Sequence, residues 1–397
     1  MPSRLVLQML AALSLAAGCA FGPGGCNDDD ARPPIVLAPV PVATQPTPMP
    51  STNPPTQTVK RLVIGHRGAS ALRPEHTLAA YTQAIEDGAD VIEPDLVSTK
   101  DGVLIARHEN DITGTTNVAT VAEFAARKTT KTIDGASITG WFTEDFTLAE
   151  LKRLRARERI PATRPGNTQY DDQFEVPTFA EVIALAKQMS AAKGRTVHLY
   201  PETKHPTYFA SIGLPFEDRL IDALRADPYS AATATVFIQS FEVANLKELR
   251  QKIGSSQPNW KLVQLIDAAD KRPYDFTVAG DGRRYADLLT RVGIQAIAEY
   301  ADGIGPYKLN LIALDATGAF QVPSQVIRNA HDANLLVHAW TFRPENAFLP
   351  APLKAAGPDS TRNPAGLVTE IQTYLRAGLD GVFTDDPAIG RQAVDTL

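Results

Sequence analysis

From residue 58 to residue 397 short apolar runs alternate with amphipathic stretches of helical period, and few folds accept that pattern. The candidate strands are Arg61–Gly65, Asp90–Val97, Val103–Arg107, Thr196–Pro201, Thr235–Gln239, Lys261–Ile266, Gly303–Gly305, Leu336–Thr341 and Gly381–Thr384. Many are unbroken Val/Ile/Leu runs, as strands buried on both faces are. Helical patterns lie between them at Thr77–Glu86, Leu148–Arg157, Thr178–Ala192, Phe216–Arg225, Val243–Lys252 and Pro323–Ala333. This predicts an α/β chain folded as a TIM-like (β/α)8 barrel over 59–397.

Nine candidates compete for eight places. Thr99-Lys100-Asp101-Gly102 reads as a tight turn, and no helix fits between Asp95 and His108. The second and third runs are therefore expected to form an antiparallel hairpin. Centred between Asp101 and Gly102, it sets Asp95 opposite His108. Residues 112–175 do not alternate in the same way and read as an insertion after the third strand, over one barrel mouth. It carries Trp141, Phe142 and Phe146, and a basic helix around Arg153, Arg155 and Arg157.

The first 58 residues are of another kind. Arg4, the apolar stretch Leu5–Ala17 and the small residues before Cys19 read as a signal peptide over 1–18. The expected form is a lipoprotein signal with Cys19 as the lipidated residue and membrane contact through that anchor. Ala16 stands where such lipoprotein signals usually carry Leu, and an ordinary secretory signal is the alternative. Either way the chain is expected to be exported, to the periplasm or cell surface. Residues 19–58 hold nine prolines between Pro33 and Pro55 and read as a semi-rigid tether. Both cysteines, Cys19 and Cys26, precede the barrel, so it has no disulfide. The net charge is −6 and no Lys/Arg block occurs, which excludes the footprint of a nucleic-acid binder.

Barrels of this kind place their active sites at the carboxyl ends of the strands. Polar residues cluster there: His66 and Arg67, Glu93 and Asp95, His108, Glu202 and Lys204, Gln239, Trp340 and Asp385. Glu93 and Asp95 are spaced i, i+2, which puts both carboxylates on one face of a strand. Buried side by side they repel unless a cation joins them. With Glu202 they suit a hard divalent ion such as Ca²⁺ or Mg²⁺ better than Zn²⁺. A single surface Glu-x-Asp is usually just solvated, but Val91, Ile92 and Leu96 point to burial. Of the seven histidines, His66 and His108 each end an apolar run and are expected to face the acids. Phosphodiester cleavage needs a base for the oxygen nucleophile and an acid for the leaving alkoxide, and two imidazoles supply both. The metal and Arg67 would neutralise the phosphoryl oxygens, with Lys204 in reserve. Gln239 and Trp340 are candidate substrate contacts. His76 is expected to order the loop after the first strand.

The motifs resemble those of the glycerophosphodiester phosphodiesterases, in particular the exported bacterial branch. They are His66-Arg67-Gly68, Pro74-Glu75-His76-Thr77, Glu93-Pro94-Asp95, Thr99-Lys100-Asp101-Gly102, Arg107-His108-Glu109, Pro201-Glu202-Thr203-Lys204, Gln239-Ser240-Phe241, Ala339-Trp340-Thr341 and Phe383-Thr384-Asp385-Asp386-Pro387. The resemblance implies hydrolysis of glycerophosphodiesters to glycerol 3-phosphate and an alcohol. It implies a divalent metal, often Ca²⁺, on Glu93, Asp95 and Glu202, and His66 and His108 as the acid–base pair. Arg67 and Lys204 carry over as phosphate and positioning groups, and Glu75 as a support for the first histidine or its loop. His76, Pro94, Glu109 and Phe342-Arg343 depart from the usual motif residues. Two other readings stand beside this one. One is a phospholipase D-type phosphodiesterase, with Trp141 and Phe142 as an apolar apron. The other is a surface-binding lipoprotein without turnover, against which the intact histidines and acids argue.

Overall fold

The structure, a computed structural model, describes residues 61–397. The expected leader and tether, with Cys19 and Cys26, lie outside the described residues. The barrel opens with β1 (Leu62–His66). Its second place is filled by β2 (Val91–Glu93) and β3 (Asp95–Ser98), interrupted at Pro94, which has no N–H for the ladder. β4 (Leu104–Ala106) folds back on β3. A separate hairpin, β5 (Thr129–Ile133) and β6 (Ala136–Gly140), lies within 112–175. The third place is shared by β7 (His198–Leu199) and β8 (Glu202–Thr203). The rest are β9 (Val236–Ser240), β10 (Trp260–Ile266), β11 (Gly303–Pro306), β12 (Leu336–Phe342) and β13 (Gly381–Thr384). All barrel neighbours pair in parallel and β13 returns to β1, closing eight places. Antiparallel β4 absorbs the ninth candidate, as the turn chemistry implies.

Two apolar layers hold this frame. Inside the barrel Ile64, Val91, Tyr200, Phe237, Val263 and Phe383 form a plug. Tyr200 stacks on Phe237 at 4.9 Å, and its hydroxyl meets His338 Nδ1 at 2.9 Å. Burial lowers the His338 pKa to about 4, so His338 is a neutral core residue. Outside, helices cover the strands. The longest among the described residues, Phe179–Lys193, opens on a Thr178–Glu181 capping box and closes at Gly194 in the left-handed region. Among the described residues no helix is long and apolar enough to cross a membrane.

Three local expectations need correction. First, the β3–β4 register pairs Leu96 with Ala106, so Asp95 lies opposite Arg107 and not His108. Thr99 N donates to Val103 O, leaving the odd loop Lys100-Asp101-Gly102 centred on Asp101. Gly102 takes φ +81°, the position such a three-residue loop gives to glycine. Second, the basic helix at Leu148–Arg157 stops at Leu151. Beyond it the chain runs extended: Ala156 N donates to Phe174 O and Arg157 N to Thr115 O. Leu151, Leu154 and Ala156 are all buried, a spacing that leaves the helical period. Third, Trp141 and Phe142 are buried, with the Trp141 indole N–H donating to Phe124 O. With Phe124 and Phe146 they belong to the main apolar core and offer no apolar apron.

Candidate active site and metal centre

Strand register assembles the acids. Parallel pairing sets His66 beside Glu93, Asp95 beside Glu202, and Glu202 beside Gln239. Residues far apart in sequence thus share one layer at the carboxyl ends of the strands. Ligand oxygens of Glu93, Asp95 and Glu202 lie within 4.8 Å of one another, and all three side chains are buried. Burial, then Asp95 and Glu202, pushes the Glu93 pKa well above its ordinary value. Burial also raises Asp95, against Lys204 and Arg67, and brings Glu202 up to about 8. Asp95 Oδ1 has no hydrogen-bond donor. A buried carboxylate oxygen without a donor, in a set of three mutually repelling acids, fits a divalent cation with oxygen ligands.

Each acid is also aimed from outside. His76 Nε2 meets Asp95 Oδ2 at 2.9 Å, and His76 Nδ1 meets the Tyr81 hydroxyl at 2.8 Å. His76, expected to order a loop, therefore orients a candidate ligand directly. The Gln239 amide donates to Glu93 Oε1 at 3.0 Å, and the backbone N–H of Arg67 donates to Glu93 Oε2 at 2.8 Å. Lys204 Nζ stands 3.0 Å from Glu202 Oε1. Arg67 holds φ +60°, and the following Gly68 lies so close to Ala80 that a Cβ would sit 2.6 Å from its carbonyl carbon. That close approach brings the Arg67 amide to Glu93.

The two histidines are carried differently. His66 Nδ1 is 2.5 Å from Asp385 Oδ1. Arg164 and Arg343 both pair with Asp385 Oδ2, and Arg164 is anchored in turn by Glu345. Burial alone would raise Asp385, but Arg343 and Arg164 hold it well below the usual carboxylate range. Burial, then Arg67, lowers His66 to about 3, so the ring is neutral. His108 Nδ1 meets Glu109 Oε1 at 2.8 Å, and its Nε2 lies 3.5 Å from Lys204 Nζ. Burial, Arg67 and Lys204 depress its pKa as well. Both rings line a cavity of about 70 Å³ with Arg67, Glu93, Glu202 and Arg343. A larger cleft of about 300 Å³ adjoins it, sharing Glu202 and Phe241.

The remaining sequence candidates also reach this site. Glu75 pairs with Arg67 at 3.0 Å and with Arg159 at 2.8 Å. Gln239 lines the cavity while its amide holds Glu93. The Trp340 ring lines the cavity, and its indole N–H donates to Gly305 O. Sequence reasoning placed Asp385 at a strand end without a role, and it missed Arg164, Arg343 and Arg159. Arg164 and Arg159 come from 112–175, and no spacing rule ties them to β1 or β13. Arg343 follows a strand end, which is the one available signal.

Comparisons with known proteins give a family and a fold. Residues 66–389 match the family model described as the Glycerophosphoryl diester phosphodiesterase family. A glycerophosphodiester phosphodiesterase of Arabidopsis thaliana, GDPD6, is 34% identical over 350 residues, covering 84% of this chain and 86% of the relative. A Haemophilus influenzae glycerophosphodiester phosphodiesterase is 28% identical over 345 residues, covering 83% and 88%. Among solved structures, a putative glycerophosphoryl diester phosphodiesterase from Silicibacter pomeroyi superposes with a TM-score of 0.59 at 20% identity, covering 85% of this chain and 94% of that one. An Oleispira antarctica phosphodiesterase, solved with the product sn-glycerol-3-phosphate, gives 0.50 at 19% identity, covering 84% and 96%. These two structures share the fold.

Proposed function

The chain belongs to the glycerophosphoryl diester phosphodiesterase family, and on that premise we propose how its own residues hydrolyse a glycerophosphodiester to glycerol 3-phosphate and an alcohol. One observation carries the reading: two imidazoles, each held at Nδ1 by a carboxylate, face one cavity with Glu93 and Glu202. His66 is neutral, and Asp385 accepts a hydrogen bond from its Nδ1–H, which leaves Nε2 unprotonated. Its Nε2 lone pair then accepts a proton from the attacking water, whose oxygen bonds to phosphorus. The P–O bond to the alcohol breaks, and His108 Nε2 delivers a proton to the departing oxygen. In the free site burial, Arg67 and Lys204 depress His108. The negative phosphodiester offsets those two cations, which raises His108 towards the value an acid needs. Arg67, Lys204 and Arg343 face the phosphoryl oxygens, Trp340 flanks the substrate, and the adjoining cleft gives the alcohol room.

Glu93, Asp95 and Glu202 would hold a divalent cation. The all-carboxylate donor set favours Ca²⁺, with Mg²⁺ second. When bound, the ion supplies fixed positive charge against the phosphoryl oxygens. Gln239, His76 and the Arg67 amide keep the carboxylates aimed.

The test is release of glycerol 3-phosphate from glycerophosphocholine by wild type, His66→Ala and His108→Ala, with added Ca²⁺ and with chelator. Wild type is expected to turn over only with metal, and both variants to lose nearly all activity. Full rate in either variant, or faster cleavage of intact lysophospholipid, would overturn the reading.

A further inference from the structure

His108 is the near end of a chain of side chains that leaves the barrel. Glu109 Oε1 meets His108 Nδ1 at 2.8 Å, and Glu109 Oε2 meets His205 Nε2 at 2.7 Å. His205 Nδ1 meets Asp134 Oδ2 at 2.6 Å. His108 and Glu109 follow β4. His205 follows β8 and precedes the helix Pro206–Ser211. Asp134 sits in the turn of the β5–β6 hairpin. Three segments distant in sequence therefore meet on one imidazole.

His205 is built for that junction. Its backbone lies in the left-handed region, φ 49° and ψ 47°, which a non-glycine residue keeps only where its surroundings impose it. Both ring nitrogens face carboxylates. Burial would lower its pKa, but the bonds to Asp134 and Glu109 raise it to about 9, so the ring is a cation that donates on both sides. Glu109 has a side chain 41% exposed and would swing towards water without a fixed donor on its second oxygen.

We propose that His205 is a positioning residue for the phosphodiesterase reaction: through Glu109 it fixes the His108 ring with Nε2 facing the site, and through Asp134 it makes that hold depend on the inserted hairpin. This rests on the reading that His108 transfers a proton. The groups acting on His108 are Arg67, Lys204 and Glu109, with His66, Glu93, Glu202 and Arg343 on the same cavity. Those acting on His205 are Glu109 and Asp134, with Lys204 and Glu242 on the same cleft. The His205 cation shares the Glu109 charge. Its removal leaves that charge to act on His108 alone and raises the His108 pKa.

The experiment uses the full chain with saturating Ca²⁺ and glycerophosphocholine. His205→Ala is expected to lower kcat about tenfold with little change in KM, a fraction of the roughly 10²–10⁴ that acid–base catalysis supplies. The limb of the pH–rate profile that is missing in His108→Ala should move upward. Asp134→Asn should give the same shift, smaller, and it keeps the test open if His205→Ala does not fold. In a Glu109→Gln background either change should cost almost nothing further, because both act through Glu109. Profiles that superimpose on wild type, or an undiminished cost in the Glu109→Gln background, overturn the proposal. Full activity in His108→Ala overturns instead the site reading beneath it, and the proposal with it.

Discussion

The two sides of the active site differ in how they hold a histidine. His66 sits in a sealed cradle: Asp385 is 2% exposed and clamped by Arg164 and Arg343. His108 is held by Glu109 at the barrel rim, with side chains 27% and 41% exposed. A charge in a sealed, low-dielectric pocket acts more strongly than one screened by water. The first side is therefore rigid, which suits the base role proposed for His66. The second is the more exposed: its orienting carboxylate meets His205, which also meets Asp134 in a hairpin that pairs only with itself.

The largest effect tests whether both sides carry chemistry at all. His66→Ala and His108→Ala should each lower kcat about 10³-fold with metal saturating, measured by glycerol 3-phosphate release. Next, Asp95→Asn removes the oxygen that lacks a donor. It should weaken Ca²⁺ activation about 10–100-fold, read from the metal concentration giving half-maximal rate. The comparison itself is tested by pairing Asp385→Asn with Glu109→Gln. The sealed side should lose about 10²-fold in kcat and the rim side about tenfold. Equal losses would break the distinction.

The smallest effect is on stability. The folded pKa of His205, about 9, lies above its ordinary 6.5. Its contribution is thus full below pH 6.5 and is lost as pH rises through 9. With partly exposed partners, that amounts to on the order of 1–2 kcal/mol. The gap between wild type and Asp134→Asn in urea unfolding should shrink from pH 7 to pH 10. His66 has the opposite sign. Its pKa of about 3 lies below 6.5, so its contribution is present above pH 6.5 and is lost as pH falls towards 3.

Much of the frame is legible from local pattern. A run buried on both faces shows as consecutive apolar residues, so Thr235–Gln239 and Gly381–Thr384 declare themselves through Val236-Phe237-Ile238 and Val382-Phe383. The i, i+2 spacing of Glu93 and Asp95 anticipates their shared face, and the three acids do converge. Local pattern failed where one residue decides the outcome. The loop at Lys100-Asp101-Gly102 has an odd count, so Arg107 took the place expected for His108 opposite Asp95. The run from Leu151 to Ala156 changes period midway, which a helical template overlooks.

The sequence by itself determined the barrel, the strand-end histidines and acids, and the family, because each depends on periods and motifs written along a few residues. Only the tertiary structure decided what orients those groups. Asp385 reaches His66 across 319 residues, Arg164 reaches Asp385 across 221, and His205 reaches Glu109 across 96. The physical reason is that a side chain's partner is fixed by which strand ends and loops packing brings within about 3 Å, the range of a hydrogen bond, and no rule of spacing along the chain encodes that.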